Sequence, residues 1–548
     1  MAKFNPITAE IAEQLKAVVG EKRFQYGETV KEEYSHDEMP IYGKFAPEAV
    51  VEVETTEEVS KIMKICNDNL IPVTVRGSGT SLTGASVPIH GGLVLSTARM
   101  NKILSYDLPN MAVTLQPGVL LQDLAADVDK HGFYYPPDPG SKTSTVGGNI
   151  ATNAGGMRAV KYGSTRDYVL QLTVVLADGR VMEIGKTVTK SSTGYSLTHL
   201  MVSSEGTLGV ITQMTLKMVP KPSKQITALL IFENLQDCVA TVPKIRIANL
   251  DPQSIEFMDA DIVRSSTAFT GKALFPEKYA GRNVDASILV TLVGEDEDEM
   301  AVRVEKLAML AEEHNAIDTL VVDTPTLKTE VWAARSAFLT SIEGDAKLMD
   351  ELDVVVPVDQ FAPYVLFVRE QGEKYGLTVR NFGHAGDGNL HIYTCSNDKT
   401  LDEFWAANNA LMDACYDECK RIGGNMSGEH GVGHGKVKYL QESVGEIAYG
   451  IYSKKKINRD VKEWIEQNME DVYARNGANL DGEGPGALRK IPQEDLQQLQ
   501  KIFDHTGATR RIDTINRHSM EKAKEMGLTP EEYFRHVFNN SEKEHLNE

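Results

Sequence analysis

Two short segments of the chain carry residues that could bind a metal ion and move a proton. His384 and His391 stand in one glycine-rich stretch, and Glu429 is followed directly by His430 further along the chain. Imidazole and carboxylate groups are ligands for borderline divalent cations, and a site with three protein ligands leaves positions open for substrate. A histidine that is not a ligand has a reference pKa of about 6.5, which suits it to accept a proton. The four residues therefore predict a metal site with a general base beside it.

A second group of residues forms three glycine-rich segments nearer the N-terminus. Residues 76–84, 136–156 and 204–211 each combine glycine with serine or threonine. Glycine allows backbone N–H groups to turn towards a phosphate, and small side chains let a large, flat, polar ligand approach the backbone. The first segment lacks the Gly-Lys pair of a Walker A motif, and Leu82 stands at the third glycine position of the dinucleotide fingerprint. Together the segments predict a cofactor site, with three unrelated tight turns as the alternative interpretation.

The elements that must position these residues change in character after residue 222. Before it, short strands alternate with helices and turns. The strand at 71–76 leads into the first glycine-rich segment, and residues 172–184 are typical of a hairpin that turns at an Asp-Gly pair. After it, longer apolar strands at 226–232 and 286–293 are each followed by a helical segment. This order predicts an α+β part with an antiparallel sheet, and the metal-type residues begin at its far edge.

Composition narrows the class of protein. A chain of 548 residues predicts two or three domains, and a formal charge of -21 argues against a nucleic-acid partner. The N-terminal residues lack the apolar run of a signal peptide, and no apolar run approaches the roughly 20 residues that span a bilayer. The five scattered cysteines fit neither a disulfide framework nor the spacing of an iron–sulfur cluster. We therefore expect a soluble, cytoplasmic protein.

Taken together, these motifs resemble one family of flavoproteins. They are similar to the FAD-dependent 2-hydroxyacid dehydrogenases of the vanillyl-alcohol-oxidase (PCMH) type, in the branch of D-lactate, glycolate and D-2-hydroxyglutarate dehydrogenases. The resemblance covers roughly residues 33–440. It implies an α+β fold, with a two-subdomain FAD-binding domain at 1–222 and an α+β cap with an antiparallel sheet at 223–420. Residues 421–450 would return to the FAD domain with the Glu-His motif, and 451–548 would form a charged, mostly helical extension.

The resemblance implies that the glycine-rich segments line FAD. The first segment contains no histidine, the residue that often carries covalent FAD in relatives, so we expect dissociable FAD. The residues expected to contact it are Arg76, Gly77, Ser78, Gly79, Thr80, Ser81, Gly84, Pro139, Gly140, Ser144, Thr145, Gly147, Gly148, Asn149, Asn153, Ala154, Gly155, Glu205, Gly206, Val210 and Ile211.

The resemblance also assigns roles to the metal-type residues. His384, His391 and Glu429 would bind a divalent cation, and His430 would be the catalytic base. A metal that chelates the acid lowers the pKa of its hydroxyl group and fixes its geometry. Zn, Fe(II) and Mn all suit these ligands. Asp387 and His434 are alternative metal ligands. Asp387, which is followed by a glycine, is also typical of a turn.

The substrate site departs from the family in one respect. By resemblance, Arg335 would grip the substrate carboxylate through its planar guanidinium, and Asn389 would contact the substrate. The hydroxyglutarate enzymes hold a second carboxylate with a threonine and a lysine. Here Leu339 stands at the first of these positions, while Asp350 and Glu351 stand near the second. The substitutions favour a monocarboxylate.

The predicted activity is oxidation of a 2-hydroxy acid, with D-lactate favoured. Electrons would pass from FAD to a separate acceptor such as an electron-transfer flavoprotein or an iron–sulfur subunit, with quinone or oxygen as alternatives. D-2-hydroxyglutarate and glycolate are the alternative substrates. Two alternatives belong to other classes of protein. A non-catalytic flavin subunit would leave the histidine and glutamate residues without a role, and a metal hydrolase would leave the glycine-rich segments without one. The sequence patterns do not identify the acid, the metal or the electron acceptor. They also do not distinguish a monomer from a homo-oligomer.

Overall fold

The computed structural model describes residues 4–322 and 324–444, all of which belong to the unit Met1–Lys454. The charged extension predicted at 451–548 lies outside these described residues. Within the described ranges, no helix is both long and apolar enough to cross a bilayer. The strands of this part of the chain form three larger sheets and two short pairs.

The first sheet is mixed and leads into the first glycine-rich segment. Its strands are β1 (Phe24–Tyr26), β2 (Ala49–Glu52), β3 (Val73–Arg76) and β4 (Leu93–Ser96). They run in the order β1-β2-β4-β3, with β2, β4 and β3 parallel and β1 antiparallel. Helices α1 (Ala9–Val19) and α2 (Thr56–Asp68) bury apolar side chains such as Leu15 and Ile62 in the same core as these strands. The first glycine-rich segment therefore leaves the carboxyl end of a parallel strand.

The second sheet is antiparallel and carries the other two glycine-rich segments on its connections. Its strands are β5 (Ile103–Asp107), β6 (Ala112–Leu115), β8 (Val169–Val175), β9 (Val181–Gly185) and β10 (Val210–Lys217), in the order β5-β6-β10-β8-β9. The accompanying helices are α3 (Leu121–Asp129), α4 (Val146–Thr152), α5 (Ala159–Tyr162) and α6 (Leu197–Met201). A short pair, β7 (Phe133–Tyr134) and β11 (Val219–Pro220), lies beside them in sequence. Segment 136–156 contains α4, and segment 204–211 runs into β10.

The third sheet is the largest and is entirely antiparallel. Its strands are β12 (Lys224–Phe232), β13 (Pro252–Asp259), β16 (Ala286–Gly294), β17 (Ala316–Val322), β18 (Leu348–Val355), β19 (Thr378–Gly383) and β20 (Asn389–Ser396). They run in the order β17-β12-β16-β13-β19-β20-β18, and a separate short pair joins β14 (Lys278–Tyr279) to β15 (Arg282–Asn283). The helices are α7 (Leu235–Ile247), α8 (Ala260–Thr270), α9 (Glu297–Glu313), α10 (Pro325–Ser336), α11 (Phe338–Asp345), α12 (Phe361–Tyr375), α13 (Leu401–Arg421) and α14 (Val437–Val444).

Helices cover both faces of this third sheet. In β12, Leu230 belongs to the core that α7, α9, α12 and α13 share, whereas Leu229 belongs to the core that α8, α10 and α11 share. Successive strand residues point to opposite faces, so a strand buried on both sides reads as a continuous apolar run. The predicted strands at 226–232 and 286–293 are confirmed as β12 and β16, and each is followed by the expected helix. The predicted hairpin at 172–184 is confirmed as β8 and β9.

Candidate active site

The fold brings the two predicted groups of residues to one cavity of about 500 Å3. Part of its wall comes from the three glycine-rich segments: Gly77, Ser78, Gly79, Thr80, Ser81, Pro139, Gly140, Ser144, Thr145, Gly147, Gly148, Asn149, Ala154, Glu205, Gly206 and Ile211. Another part comes from Arg335, His384, His391, Glu429 and His430. Residues from distant parts of the chain therefore face the same space.

The glycine-rich segments pack closely against one another. A Cβ atom at Gly77 would overlap the hydroxyl of Thr145, so these two segments meet only because residue 77 has no side chain. Thr145 also caps α4, since its Oγ1 accepts a hydrogen bond from the backbone N of Gly148 (3.3 Å). At the start of the third segment, Ser203, just before it, and Glu205 have φ of 67° and 49°, in the left-handed region. Such backbone conformations in non-glycine residues concentrate at functional sites.

Two residues of the first segment that were expected to contact the cofactor lie behind the cavity wall. The Arg76 guanidinium is buried, and its Nη1 donates to the backbone oxygen of His36 (2.8 Å) and to Ser86 Oγ (3.3 Å). Gly84 faces His434, whose ring a Cβ atom at residue 84 would overlap. Both residues contact other parts of the protein and do not line the cavity.

Three further residues expected to contact the cofactor also lie away from the cavity lining. Asn153 ends α4 with φ of 56°, and its Oδ1 accepts from the backbone N of Arg166 (2.9 Å). A Cβ atom at Gly155 would lie 3.0 Å from Glu429 Oε2, so this glycine makes room for a predicted metal ligand. The Val210 side chain is buried in the core of the first sheet. None of the three lines the cavity.

The predicted metal ligands converge on one point. His384 Nε2 and His391 Nε2 each lie 3.3 Å from Glu429 Oε1, and all three side chains are buried. In a tetrahedral site with bonds of 2.0–2.1 Å, two ligand atoms are about 3.4 Å apart. Glu429 Oε2 is buried without a hydrogen-bond partner in the part of the chain described. The spacing and the unpaired oxygen fit a divalent cation.

The β19–β20 hairpin places the two histidines. His384 follows the last residue of β19, and His391 lies on β20 opposite Phe382 on one side and Asp353 on the other. The two imidazole rings are therefore 5.1 Å apart, although six residues separate them in sequence. The short turn of this hairpin, which includes Gly388 at φ of 85°, brings the two histidines together without help from distant parts of the chain.

His430 is held by a buried carboxylate. Its Nδ1 is 2.5 Å from Glu351 Oε1, and Glu351 Oε2 accepts a hydrogen bond from Lys436 Nζ at 3.1 Å. Glu351 is fully buried. When Nδ1–H donates to this carboxylate, the lone pair of a neutral imidazole lies on Nε2, 3.6 Å from Glu429 Oε1. A histidine that a carboxylate orients through Nδ1, and that lines the cavity, has the arrangement of a general base.

Asp353 holds the loop that carries Glu429 and His430. Its Oδ2 accepts hydrogen bonds from Ser427 Oγ and from the backbone N of residues 428, 429 and 430, at 2.8–3.0 Å. Asn389 was expected to contact the substrate, but it does not line the cavity. Its Nδ2 donates to Asp353 Oδ1 (2.6 Å) and to the backbone oxygen of Val354 (2.9 Å). Since both amide protons are used inside the protein, Asn389 supports the loop carboxylate.

Arg335 lies on α10 and faces the cavity. Its guanidinium packs against two aromatic rings that also contact each other, with Cζ 5.1 Å from the centre of Phe338 and 4.9 Å from that of Phe382. Its Nη2 donates to Glu256 Oε2 at 2.7 Å, while Nε has no hydrogen-bond partner among the described residues. The side chain is therefore fixed in place and retains donor capacity for an anion.

Carboxylates control the proton affinity of the cluster. Burial by itself lowers the pKa of His384, but Glu256 and Glu429 outweigh it and raise that pKa well above the usual value. Burial likewise lowers the pKa of His430, and Asp353 with Glu351 raises it well above the usual value. A group of buried carboxylates that stabilises positive charge on imidazoles also favours a bound cation.

A second grouping of potential ligands, Glu351, His391 and His430, shares one histidine with the first. The 2.5 Å between Glu351 Oε1 and His430 Nδ1 is a hydrogen-bond distance, shorter than the about 3.4 Å expected for two tetrahedral ligands. Asp387 and His434 belong to neither grouping of the described residues. The first grouping therefore fits a cation better.

Sequence reasoning missed two acids of the site, Glu256 and Asp353, and missed the contact of a third, Glu351, with His430. Each is fully buried on a strand of the third sheet. A buried carboxylate needs donors, so acids inside an otherwise apolar strand signal a polar network on that face. Residues 348–355 contain three acids in a strand pattern, and this was the available signal.

Comparisons with known proteins identify the family. Residues 47–185 match the family described as FAD binding domain, and residues 221–457 match the FAD linked oxidases, C-terminal domain. A D-lactate dehydrogenase of Anaerostipes hadrus is 48% identical over 467 residues, which make up 85% of this chain and 97% of that relative. The chain belongs to the family of FAD-linked oxidases. The predicted family and the predicted cofactor, FAD, are confirmed.

This FAD-linked oxidoreductase also matches most of the length of other relatives. The glycolate oxidase subunit GlcD of Bacillus subtilis (strain 168) is 37% identical, with 79% of this chain and 91% of the relative covered. Among solved structures, p-cresol methylhydroxylase with bound substrate superposes with a TM-score of 0.68 at 18% identity, covering 82% of this chain and 94% of that structure. The predicted α+β fold of the PCMH type is confirmed.

Proposed function

We propose that the chain oxidises a D-2-hydroxy acid, D-lactate above all, to the 2-oxo acid. The observation that carries the proposal is the shared cavity, because the glycine-rich segments and the histidine–carboxylate cluster line the same space. A hydride donor bound at the cluster would therefore lie next to a flavin. The similarity to a D-lactate dehydrogenase over 97% of its length supports the choice of acid.

The residues of the cavity fit both groups that the reaction needs. The glycine-rich wall would hold dissociable FAD, which supplies a two-electron acceptor when bound. His384, His391 and Glu429 would hold Zn, Fe(II) or Mn, which supplies Lewis acidity at the substrate hydroxyl. The 3.3 Å spacings and the unpartnered Glu429 Oε2 support this assignment.

Side chains of this protein would position the acid and take its proton. Arg335 would bind the carboxylate through its remaining donors. His430 would accept the hydroxyl proton at Nε2 while the Cα hydrogen leaves as hydride to FAD, so the acid loses one proton and one hydride and becomes the 2-oxo acid. The buried charge of Glu351 would stabilise the imidazolium that forms.

The cavity favours a monocarboxylate, although for only one of the two reasons that the sequence offered. Leu339 lines the cavity, as that reasoning required, together with Thr340. Glu351 does not line it, because this side chain is turned towards His430 and Lys436. Glu38 also lines the cavity. A second carboxylate on the substrate near residue 339 would therefore meet an apolar side chain.

The electrons would leave FAD for a separate acceptor, such as an electron-transfer flavoprotein or an iron–sulfur subunit. All five cysteines are free and buried, and none belongs to the potential metal groups of the described residues. Reduced, unpaired thiols also support the cytoplasm as the proposed location.

A flavin spectrum recorded without oxygen tests the proposal. D-lactate should bleach the oxidised flavin band, with L-lactate, glycolate and D-2-hydroxyglutarate slower, and a chelator should suppress the bleaching until a divalent cation is restored. If no 2-hydroxy acid bleaches the flavin, the dehydrogenase function is wrong. If bleaching survives complete removal of metal, the proposed role of the cation is wrong.

A further inference from the structure

Glu256 connects the two halves of the proposed substrate site. It lies within β13 and is fully buried. Its Oε1 is 2.8 Å from His384 Nδ1, and its Oε2 accepts a hydrogen bond from Arg335 Nη2 at 2.7 Å. One carboxylate therefore contacts both a proposed metal ligand and the residue proposed to bind the substrate carboxylate.

Each contact constrains the residue that it meets. A carboxylate that accepts Nδ1–H from His384 fixes the tautomer whose Nε2 lone pair faces Glu429, and such partners orient metal ligands. On the other side, the hydrogen bond that Nη2 donates to Glu256 and the packing of Phe338 and Phe382 against the guanidinium restrict its orientation. The distance between the cation-binding and anion-binding groups is therefore set through a single side chain.

We propose that Glu256 is a positioning residue that couples Arg335 to His384 and so sets the spacing at which a 2-hydroxy acid can engage both. The inference rests on the proposed function. The hydroxyl and carboxylate of a 2-hydroxy acid lie on adjacent carbons, so both must reach their partners at once. Glutamine could not replace Glu256, because an amide oxygen can accept from one donor while its NH2 group meets the other donor.

Glu256→Gln tests the coupling, with Asp259→Asn as its matched control. Asp259 is another buried acid of β13, but its hydrogen bonds come from Asn381 and from the backbone N of Ile262. Glu256→Gln should weaken Zn2+ binding to the chelator-treated flavoprotein and raise KM for D-lactate, each by about 10–100-fold, with an unchanged flavin spectrum. Asp259→Asn should leave both values within about twofold of the wild type.

A second variant tests the coupling from the other side with Glu256 intact. Arg335→Gln should tighten Zn2+ binding by about threefold or more, because Glu256 is then left to His384 alone. Arg380→Gln is the control, since Arg380 loses the same charge but pairs with Asp345 at 2.5 Å and 3.0 Å. The Zn2+ affinity of Arg335→Gln tests the coupling even if Glu256→Gln does not fold.

The outcomes separate the inference from the proposed function. Zn2+ affinity is measured without turnover, so a protein that no acid reduces would refute the dehydrogenase function and leave the coupling testable. Wild-type Zn2+ affinity in Arg335→Gln would overturn the inference. So would a folded Glu256→Gln variant with wild-type Zn2+ affinity and wild-type KM.

Discussion

At the scale of single residues, the site contains buried charged groups that contact groups of opposite charge. His430, Glu351 and Lys436 form a chain in which each charged group faces an opposite charge. The carboxylates around His430 raise its pKa well above the usual value, so they stabilise the imidazolium that proton uptake forms, while the Nδ1 contact leaves Nε2 as the nitrogen that exchanges the proton. A buried charge without such a partner would cost several kcal/mol.

Replacing His430 by alanine tests its proposed role as base. We expect the rate of flavin bleaching by D-lactate to fall by about 10²–10⁴-fold, because the hydroxyl proton has no acceptor. The flavin spectrum and the Zn2+ affinity should stay close to those of the wild type, since His430 is in neither proposed binding set. Bleaching at the wild-type rate in His430→Ala would assign the proton to another group.

At the scale of elements, one hairpin and one loop position the chemistry. The β19–β20 hairpin presents both histidines, and the loop between α13 and α14 presents Glu429 and His430. Asp353 of β18 fixes that loop through hydrogen bonds to consecutive backbone N–H groups. The site thus depends on how closely the loop can approach the edge of the third sheet.

Gly428→Ala should disturb this approach. A Cβ atom at residue 428 would overlap the amide of Asn389 and lie 3.1 Å from Asp353 Oδ1. We expect overpacking to cost about 1–3 kcal/mol and to slow flavin bleaching at least about tenfold, with FAD still bound.

Gly344→Ala is the control for this substitution. Its Cβ atom would make only ordinary contact, 3.5 Å from Phe269 Cδ2, inside α11. Because alanine favours a helix more than glycine does, the free energy of unfolding of this variant should be about 0.5–1 kcal/mol higher than that of the wild type, and its activity should be unchanged. Equal activities of the two variants would show that the loop tolerates displacement.

At the scale of the whole molecule, buried acids make stability depend on pH. Asp259 lies at the end of β13, and burial raises its pKa to about 6 despite hydrogen bonds from Ile262 and Asn381. The native state therefore holds this proton more tightly than the unfolded state. As pH rises, the folded form must carry a carboxylate in a site that disfavours it, and the free energy of unfolding falls.

Asp259→Asn should remove this dependence. Between about pH 4 and pH 6 the wild type should lose up to about 3 kcal/mol relative to the variant, and above pH 6 the difference should stay constant. Denaturant midpoints of both proteins across this range measure the effect. The variant loses a charged acceptor at every pH, so only the change with pH is diagnostic. Parallel curves would mean that Asp259 titrates normally.

Local features of the chain were predictable from the sequence. The apolar runs of β12 and β16 and the Asp-Gly hairpin of β8 and β9 are set by residue patterns within a few positions. The glycine-rich segments likewise indicated a cofactor, because small residues and positive φ are local properties. Even the nearness of His384 and His391 follows from a short hairpin.

The tertiary structure decided which groups these residues contact. Arg76 and Asn389 have the right chemistry for ligand contacts, but the folded chain uses their donors internally. Glu256 reaches His384 because β13 and β19 are neighbours in the sheet, although 128 positions separate the two residues. Strand order is set by the packing of the whole sheet, so no local pattern specifies such a pair. The sequence determined the chemical groups, and the long-range packing determined their partners.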